Sequence, residues 1–494
     1  MFDKILRLGK ETAIYGLSSI LGRLMNFLLA PFYTNVLLTS ENGIVANVYA
    51  YVAFAYVVYC YGFEIAYMRF VSTLEIGDEK QNFSTPFLSL VATSVALSSV
   101  IHLSASTIAG WIGIPGNGTV LVQYAAWILC FDTLSVVPFA ALRMDQRPKM
   151  FAVLKLSNIF VNVVLNVVLI LVFHMRAEGV LLANLIASIA TFVITFTVVR
   201  SKFKPAFSTP LFRELLKFGL PLIPSGLAGM ALQIVDRPIV KALTNNSTLG
   251  IYQINYRLGI AMMLVVGMFD YAWRPFFLTS AREPEAKSLF SKVFTFFILV
   301  MLLVFLGVSF FVEDLVRIQI FGKHFFHPDY WVGVPIVPWI LLGYVFNGAY
   351  VVFIAGAYLE KKTRYLPMIT GLGAVVNIVV NVLLIPSMGI MGAALATLAA
   401  YAIMAIAMYF ASQKFYQVQY EWRKVAGIVF AAAIVFGCFE FFHPAPLNLH
   451  GTLIKVTLLL VFLALLPAFG VFNKSDLVLA KSTVQRYLNS RAGS

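Results

Sequence analysis

The chain has 494 residues, of which 60% are hydrophobic and 12% charged. A soluble domain carries about 25% charged residues, so half that density excludes a water-soluble globule and leaves most of the surface facing lipid. The net charge of +14 follows the membrane topology set out below and carries no sign of nucleic-acid binding.

Lys4, Arg7 and Lys10 precede an apolar run from about Thr12 to Leu38. A cleavable signal core is only 7–15 residues long, whereas this run is long enough to span a bilayer. Thirteen further runs begin near Ile44, Thr85, Val120, Phe151, Gly179, Phe218, Gly250, Leu289, Trp331, Leu366, Ile390, Val425 and Leu453. Short connectors separate them, with turn chemistry such as Ser40-Glu41-Asn42-Gly43 and Asn245-Asn246-Ser247. Cys60, Cys130 and Cys438 lie far apart inside apolar runs, which points to neither a disulfide framework nor a zinc site.

With the N-terminus inside, 28 of the 36 Lys and Arg residues fall on inner segments. Four (Arg176, Arg317, Lys323, Lys455) fall on outer connectors and four within spans. Basic residues mark cytoplasmic loops, so both termini are expected in the cytoplasm.

The chain also repeats itself. Val161–Ile170 reads VNVVLNVVLI and Val376–Ile385 reads VNIVVNVLLI, so Asn162 and Asn166 match Asn377 and Asn381. GVLLANL from Gly179 corresponds to GAALATL from Gly392, Trp127-Ile128-Leu129 to Trp339-Ile340-Leu341, and the turn at Gly43 to that at Gly250. These matches keep one register. Each unit holds six spans, an even number, so both halves point the same way around an axis along the membrane normal. The expectation is an all-α polytopic membrane protein of about fourteen transmembrane helices. Two repeat-related six-helix bundles face a central cavity, and two extra helices follow. The expected division is an N-terminal lobe over 1–200, a basic cytoplasmic linker over 201–217, a C-terminal lobe over 218–412, and helices thirteen and fourteen with a tail over 413–494.

Twelve repeat-related spans plus two, the basic segment Arg200–Lys217 and the paired N-x-x-x-N spans resemble the multidrug, oligosaccharidyl-lipid and polysaccharide exporter superfamily. Within it the chain is most similar to the polysaccharide transporters, the O-antigen and exopolysaccharide flippases, over about Met1 to Ser412. The resemblance implies alternating access and a polyprenyl-diphosphate-linked sugar as substrate. It also implies residence in the bacterial inner membrane among lipids, and polysaccharide polymerase machinery as a partner. No cofactor is implied, and a coupling ion stays unidentified. A lipid II flippase or a multidrug exporter is the alternative within the superfamily.

Ionisable groups at membrane depth are costly, so each is a functional candidate. Arg23 lies roughly 16 Å into the first span at 1.5 Å per residue, and Asp132 lies similarly deep in the fourth. Asp236, Arg237 and Lys241 fall in the outer half of span seven, and Arg257 in span eight. On the functional reading this set lines the cavity, its arginines gripping a diphosphate through bidentate hydrogen bonds. On the structural reading Arg23 pairs with Asp132, and Asp236 with Arg257 or Lys241. In related lipid II flippases the cavity arginines lie in the first and eighth helices, which by resemblance points to Arg23 and Arg257. Pro221, Pro224 and Pro238 lead us to expect a bend in span seven. Glu64 with Arg69, and Asp270 with Arg274, occupy repeat-equivalent inner ends and are expected to anchor a gate or loop. An enzyme is disfavoured: the chain has no D-x-D, H-E-x-x-H, G-x-S-x-G or P-loop, and its longest outer connector runs only from about Val312 to Tyr330.

Overall fold

The structure is a computed structural model that describes residue 25, residues 27–281 and residues 283–471. After a short apolar helix α1 (Phe27–Val36) come α2 (Thr39–Thr73), α3 (Glu79–Leu103), α4 (Gly118–Met144), α5 (Pro148–Leu171), α6 (Ala177–Lys202) and α7 (Thr209–Ile234). Then follow α8 (Asn246–Ser280), α9 (Ala286–Arg317), α10 (Pro328–Leu359), α11 (Tyr365–Met388), α12 (Ile390–Phe415), α13 (Trp422–Phe442) and α14 (Leu449–Ala468). Among the described residues, the 13 from α2 to α14 are long and apolar enough to cross a membrane. A small hairpin pairs Gln319–Ile320 with Lys323–His324 between α9 and α10.

Several of these helices are interrupted, and the interruptions explain the placement of polar residues. Along α7, a 3-10 turn at Leu220–Leu222 carries Pro221, and Pro224 opens the next helix, Ile223–Ile234. A separate helix, Asp236–Leu243, follows with Pro238 near its start. Proline at a first turn removes only an N–H that has no intrahelical partner, so the three prolines sit where the backbone tolerates them. In α8 a 3-10 turn, Arg257–Gly259, separates Asn246–Tyr256 from Ile260–Ser280.

The described chain divides into two compact units. The first runs to Ile260 and includes Phe326–Ile340 and Arg364–Met404. Within it, α2 is held by backbone-to-backbone contact near its start and again at the turn Tyr61–Gly62 inside it. A Cβ placed on Gly43 would lie 1.7 Å from the Asn246 carbonyl oxygen, and one on Gly250 would lie 1.9 Å from that of Thr39. Tyr330 supports this crossing: its hydroxyl accepts a hydrogen bond from Asn42 at 2.7 Å, and its carbonyl accepts one from Asn255 at 2.9 Å. About 28 Å further along α2, at 1.5 Å per residue, Gly62 takes a φ of +76° and a Cβ there would lie 2.6 Å from the Gly219 carbonyl. Around that second crossing, Phe63, Tyr67, Phe70, Phe83, Phe87, Leu211 and Leu215 form a buried core.

The repeat extends to side-chain geometry. Asn166 donates to the Asn162 carbonyl at 2.8 Å and to its side chain at 2.9 Å, and Asn381 donates to both Asn377 oxygens at the same distances. Spacing of four residues stacks each pair on one helix face.

The second unit holds Ala261–Phe325, Leu341–Thr363 and the chain from Ala405. Helix α9 forms its centre through Phe290, Phe294, Phe297, Met301, Leu306 and Phe310, all buried. Phe310 stacks on Phe439 of α13 with ring centroids 4.4 Å apart. Lys455, expected on an outer connector, lies instead inside α14, where it is 1% exposed and ion-paired with Asp314. The apolar flanks of this lysine extend the helix past it, and the buried carboxylate supplies its partner.

Gly43→Ala or Gly250→Ala forces the α2–α8 crossing apart. Overpacking of this kind costs about 1–3 kcal/mol, so each variant is expected to lower the thermal unfolding midpoint in detergent. Gly267→Ala, whose Cβ meets nothing within 4 Å, is the control expected to leave it unchanged or slightly higher.

Candidate functional site

Between the two glycine crossings of α2 lies a cavity of about 220 Å³. Arg237 and Arg257 reach it from the interruptions of α7 and α8, and Tyr33, Asn42, Tyr49 and Gln253 add hydroxyl and amide groups. Interrupted backbone at membrane depth is tolerated where it lines such a cavity; Arg257 lies on the 3-10 turn of α8, and Arg237 in the first turn of the helix that follows the end of α7. Arg237 donates through Nε to Gln253 Oε1 at 2.5 Å and through a terminal nitrogen to the Gln233 carbonyl at 3.1 Å. Its guanidinium also lies 5.6 Å from the centroid of the Tyr256 ring. None of the described residues lining the cavity is acidic. Two fixed positive charges facing polar neutral groups make a site for an anion.

Asp236 does not neutralise either arginine by an ion pair among the described residues. It is 3% exposed, accepts a hydrogen bond from the Tyr252 hydroxyl at 2.5 Å, and accepts another from the Arg237 backbone N–H at 3.0 Å. This fixes the start of the Asp236–Leu243 helix and with it the direction in which Arg237 leaves the backbone. Lys241, one turn after Arg237, is not among the residues lining the cavity: a Cβ on Gly113, in the turn before α4, would lie 2.2 Å from its Nζ. Arg23 lies outside the described residues.

A second cavity, of about 330 Å³, contains Asp132 in the company of Glu64, Arg143 and Lys155. Arg143 and Glu64 form an ion pair, and the Lys155 ammonium lies 4.3 Å from the Phe139 ring centroid. Asn158 donates to Thr191 Oγ1 at 2.6 Å beside them. Asn184, also on this wall, donates to the Tyr49 hydroxyl at 3.0 Å, so one hydrogen bond joins the linings of the two cavities. Of the six residues expected in one cavity, the five that are described are therefore distributed: Arg237 and Arg257 together, Asp132 in the neighbouring cavity, Asp236 buried behind Arg237, and Lys241 beside the turn at Gly113.

The expected anchors also differ from each other. Asp270 accepts from Arg274 Nε at 2.8 Å along α8. Glu64, by contrast, pairs with Arg143 of α4, and Arg69 lies 4.8 Å from the Phe218 ring centroid. Arg69 falls five residues after Glu64, off the i, i+4 spacing that Asp270 and Arg274 share.

The polar neutral residues Tyr33, Tyr49, Tyr252 and Gln253 had no charge signal to mark them. In the sequence Arg143 and Lys155 read as part of an inner connector. A readable signal existed for the latter: Lys155, Asn158, Asn162 and Asn166 follow at spacings of three and four, a polar stripe down one face of α5.

The family described as polysaccharide biosynthesis protein matches residues 8–280. No curated protein sequence matches the chain. A solved structure described as lipid II flippase MurJ in the inward closed conformation superposes with a TM-score of 0.71 at 17% identity, covering 91% of this chain and 97% of that one. An inward-facing multidrug resistance MATE family transporter of the MOP superfamily gives 0.54 at 13%, over 83% and 97%. The Vibrio cholerae MATE transporter VcmN in the bent form gives 0.53 at 14%, over 82% and 96%. At these identities the likeness carries the fold.

Tyr252→Phe leaves the buried Asp236 carboxylate without its hydroxyl donor. Losing one partner of a buried polar pair costs about 1–3 kcal/mol, so the thermal midpoint is expected to fall. In the Asp236→Asn background the same change should cost less, as a double-mutant cycle will measure.

Proposed function

The chain belongs to the polysaccharide biosynthesis protein family, and from that premise we propose that it flips a polyprenyl-diphosphate-linked oligosaccharide across the bacterial inner membrane. The observation that carries this reading is the acid-free cavity holding Arg237 and Arg257. A diphosphate offers several oxygens to two guanidinium groups, each of which forms paired hydrogen bonds and stays charged when partly desolvated. An organic cation would meet two like charges in that cavity, which argues against a drug exporter.

Transport requires the two glycine crossings to open one at a time. With basic segments in the cytoplasm, the Gly43–Gly250 crossing closes the outer side and the Gly62–Gly219 crossing the inner side. A sugar diphosphate enters when the inner crossing parts, is held by the arginines, and leaves when the outer crossing parts. The polyprenyl tail stays in hydrocarbon throughout. The interrupted α7 and α8 are the elements placed to bend during this exchange.

Lipid II is a second reading: it presents the same carrier diphosphate with another sugar. Its support is the greater superposition on a lipid II flippase (TM-score 0.71) than on MATE transporters (0.54).

Proteoliposome flipping distinguishes these readings. Wild type is expected to translocate a polyprenyl-diphosphate sugar, and Arg237→Ala or Arg257→Ala to lose at least about tenfold, the scale of one lost charged hydrogen bond. Preference between an O-antigen-type oligosaccharide and a muropeptide head assigns the substrate. Transport of an organic cation without any lipid-linked sugar flipping would sink the proposal. The orientation is checked by cysteines introduced at Gly116 and Lys361: the first is expected to label on intact cells, the second only after permeabilisation.

A further inference from the structure

In the second unit, the start of α9 and the connector between α12 and α13 enclose a cleft of about 380 Å³. Lys287, Ser288, Ser291 and Lys292 line it from α9. Lys287 lies 5.0 Å from the centroid of the Tyr416 ring, and neither lysine forms an ion pair among the described residues. Glu421, the one carboxylate of the lining, is engaged elsewhere: it accepts from Lys424 at 2.8 Å and from Thr295 at 2.9 Å. Ser291 is 3% exposed, and its hydroxyl has no hydrogen-bond partner although it borders the cleft. Buried hydroxyls are seldom left unpaired, and each exception needs an explanation.

Lys292 also borders a second space. An apolar groove of about 420 Å³ runs along α8 and α9, walled by Val265, Phe269, Phe296, Phe297 and Val300, with Lys292 as its one charged lining residue. A polar cleft with two lysines outside any ion pair among the described residues thus adjoins an apolar groove, and a single residue belongs to both. Positive charge at one end and bare hydrocarbon along the rest is the complement of an anionic lipid.

We propose that the cleft and groove bind one anionic glycerophospholipid. Its phosphate lies against Lys287, Lys292 and the Ser291 hydroxyl, aided by the free N–H groups of the first turn of α9. One acyl chain follows the groove past Phe296. The lysines fall on segments assigned to the cytoplasmic side, where anionic headgroups collect basic residues. This site is separate from the arginine cavity and does not depend on the nature of the transported sugar.

The test is thermal unfolding and native mass spectrometry of the purified full chain in detergent, titrated with phosphatidylglycerol, phosphatidylcholine, soluble glycerol phosphate or a polyprenyl diphosphate. Phosphatidylglycerol is expected to raise the unfolding midpoint and to be retained at least tenfold better than phosphatidylcholine. Lys287→Ala/Lys292→Ala should abolish that preference, and Lys287→Arg/Lys292→Arg should restore it. Ser291→Ala should weaken retention while raising the midpoint of the lipid-free protein, since it removes an unpaired buried hydroxyl; a purely structural serine would do neither. Equal retention of the two phospholipids overturns the proposal. So does a full effect from glycerol phosphate alone, which would leave an anion site without a lipid groove, or binding of polyprenyl diphosphate with no phosphatidylglycerol preference. Arg237→Ala is a control that should leave the phosphatidylglycerol effect intact even if sugar flipping is never observed.

Discussion

The backbones of α2 and α8 meet so closely at Gly43 and Gly250 that neither position has room for a methyl group. That contact brings Asn42 onto Tyr330 and Tyr330 onto Asn255, two residues before the break at Arg257. The arginine therefore leaves α8 at a height set by the crossing, opposite Tyr33 and Tyr49 across the same cavity. A larger residue at either glycine would separate the helices and dilute the cavity with water, weakening every electrostatic interaction inside it. The second crossing, at Gly62 and Gly219, uses the same device, with a positive φ at Gly62 that a side chain would resist.

Charge within hydrocarbon then decides the chemistry. Isolated ions at this depth are expensive, so membrane proteins pair them or give them an aqueous or ligand-filled cavity. This chain does both in adjacent spaces. Arg143 and Glu64 pair, with Asp132 and Lys155 on the same wall. Arg237 is instead held by a glutamine side chain and a backbone carbonyl, both neutral, and shares its cavity with Arg257. Neutral acceptors orient a guanidinium without cancelling its charge. The Tyr49–Asn184 hydrogen bond connects the two linings, so a change in the ionised cavity has a direct physical route to the arginine cavity.

Much of this architecture is legible in the amino-acid order. Hydropathy alone marks the 13 described spans, the expected first span lying mostly outside the described residues, because a helix of about 20 apolar residues is the simplest way to satisfy the backbone across lipid. The repeat is legible too, down to asparagine pairs that adopt the same hydrogen bonds at Asn162–Asn166 and Asn377–Asn381. The grouping of the charged residues inside spans is not legible in the sequence, since pairing depends on which faces meet. The repeat sets Glu64 beside Arg69 as it sets Asp270 beside Arg274, whereas the ion-pair partner of Glu64 comes from α4. In the sequence Lys155 and Lys455 read as connector residues, because a lysine near a span end looks like topology. Only the partner faces, Asp132 with Glu64 beside Lys155 and Asp314 against the buried Lys455, distinguish such lysines from loop lysines. The hydroxyl and amide residues of the arginine cavity carry no distinguishing pattern at all.

The central claim is that Arg237 and Arg257 grip a diphosphate. Its most direct measurement is the affinity of the purified protein for a polyprenyl-diphosphate sugar against the same lipid lacking both phosphates, in wild type and in the Arg237→Ala/Arg257→Ala double variant. The account predicts a wild-type preference of a hundredfold or more for the diphosphate, about 2.7 kcal/mol by the tenfold-per-1.4 relation, and its collapse in the double variant. Equal affinity for the two lipids, or a preference that survives loss of both arginines, would contradict it.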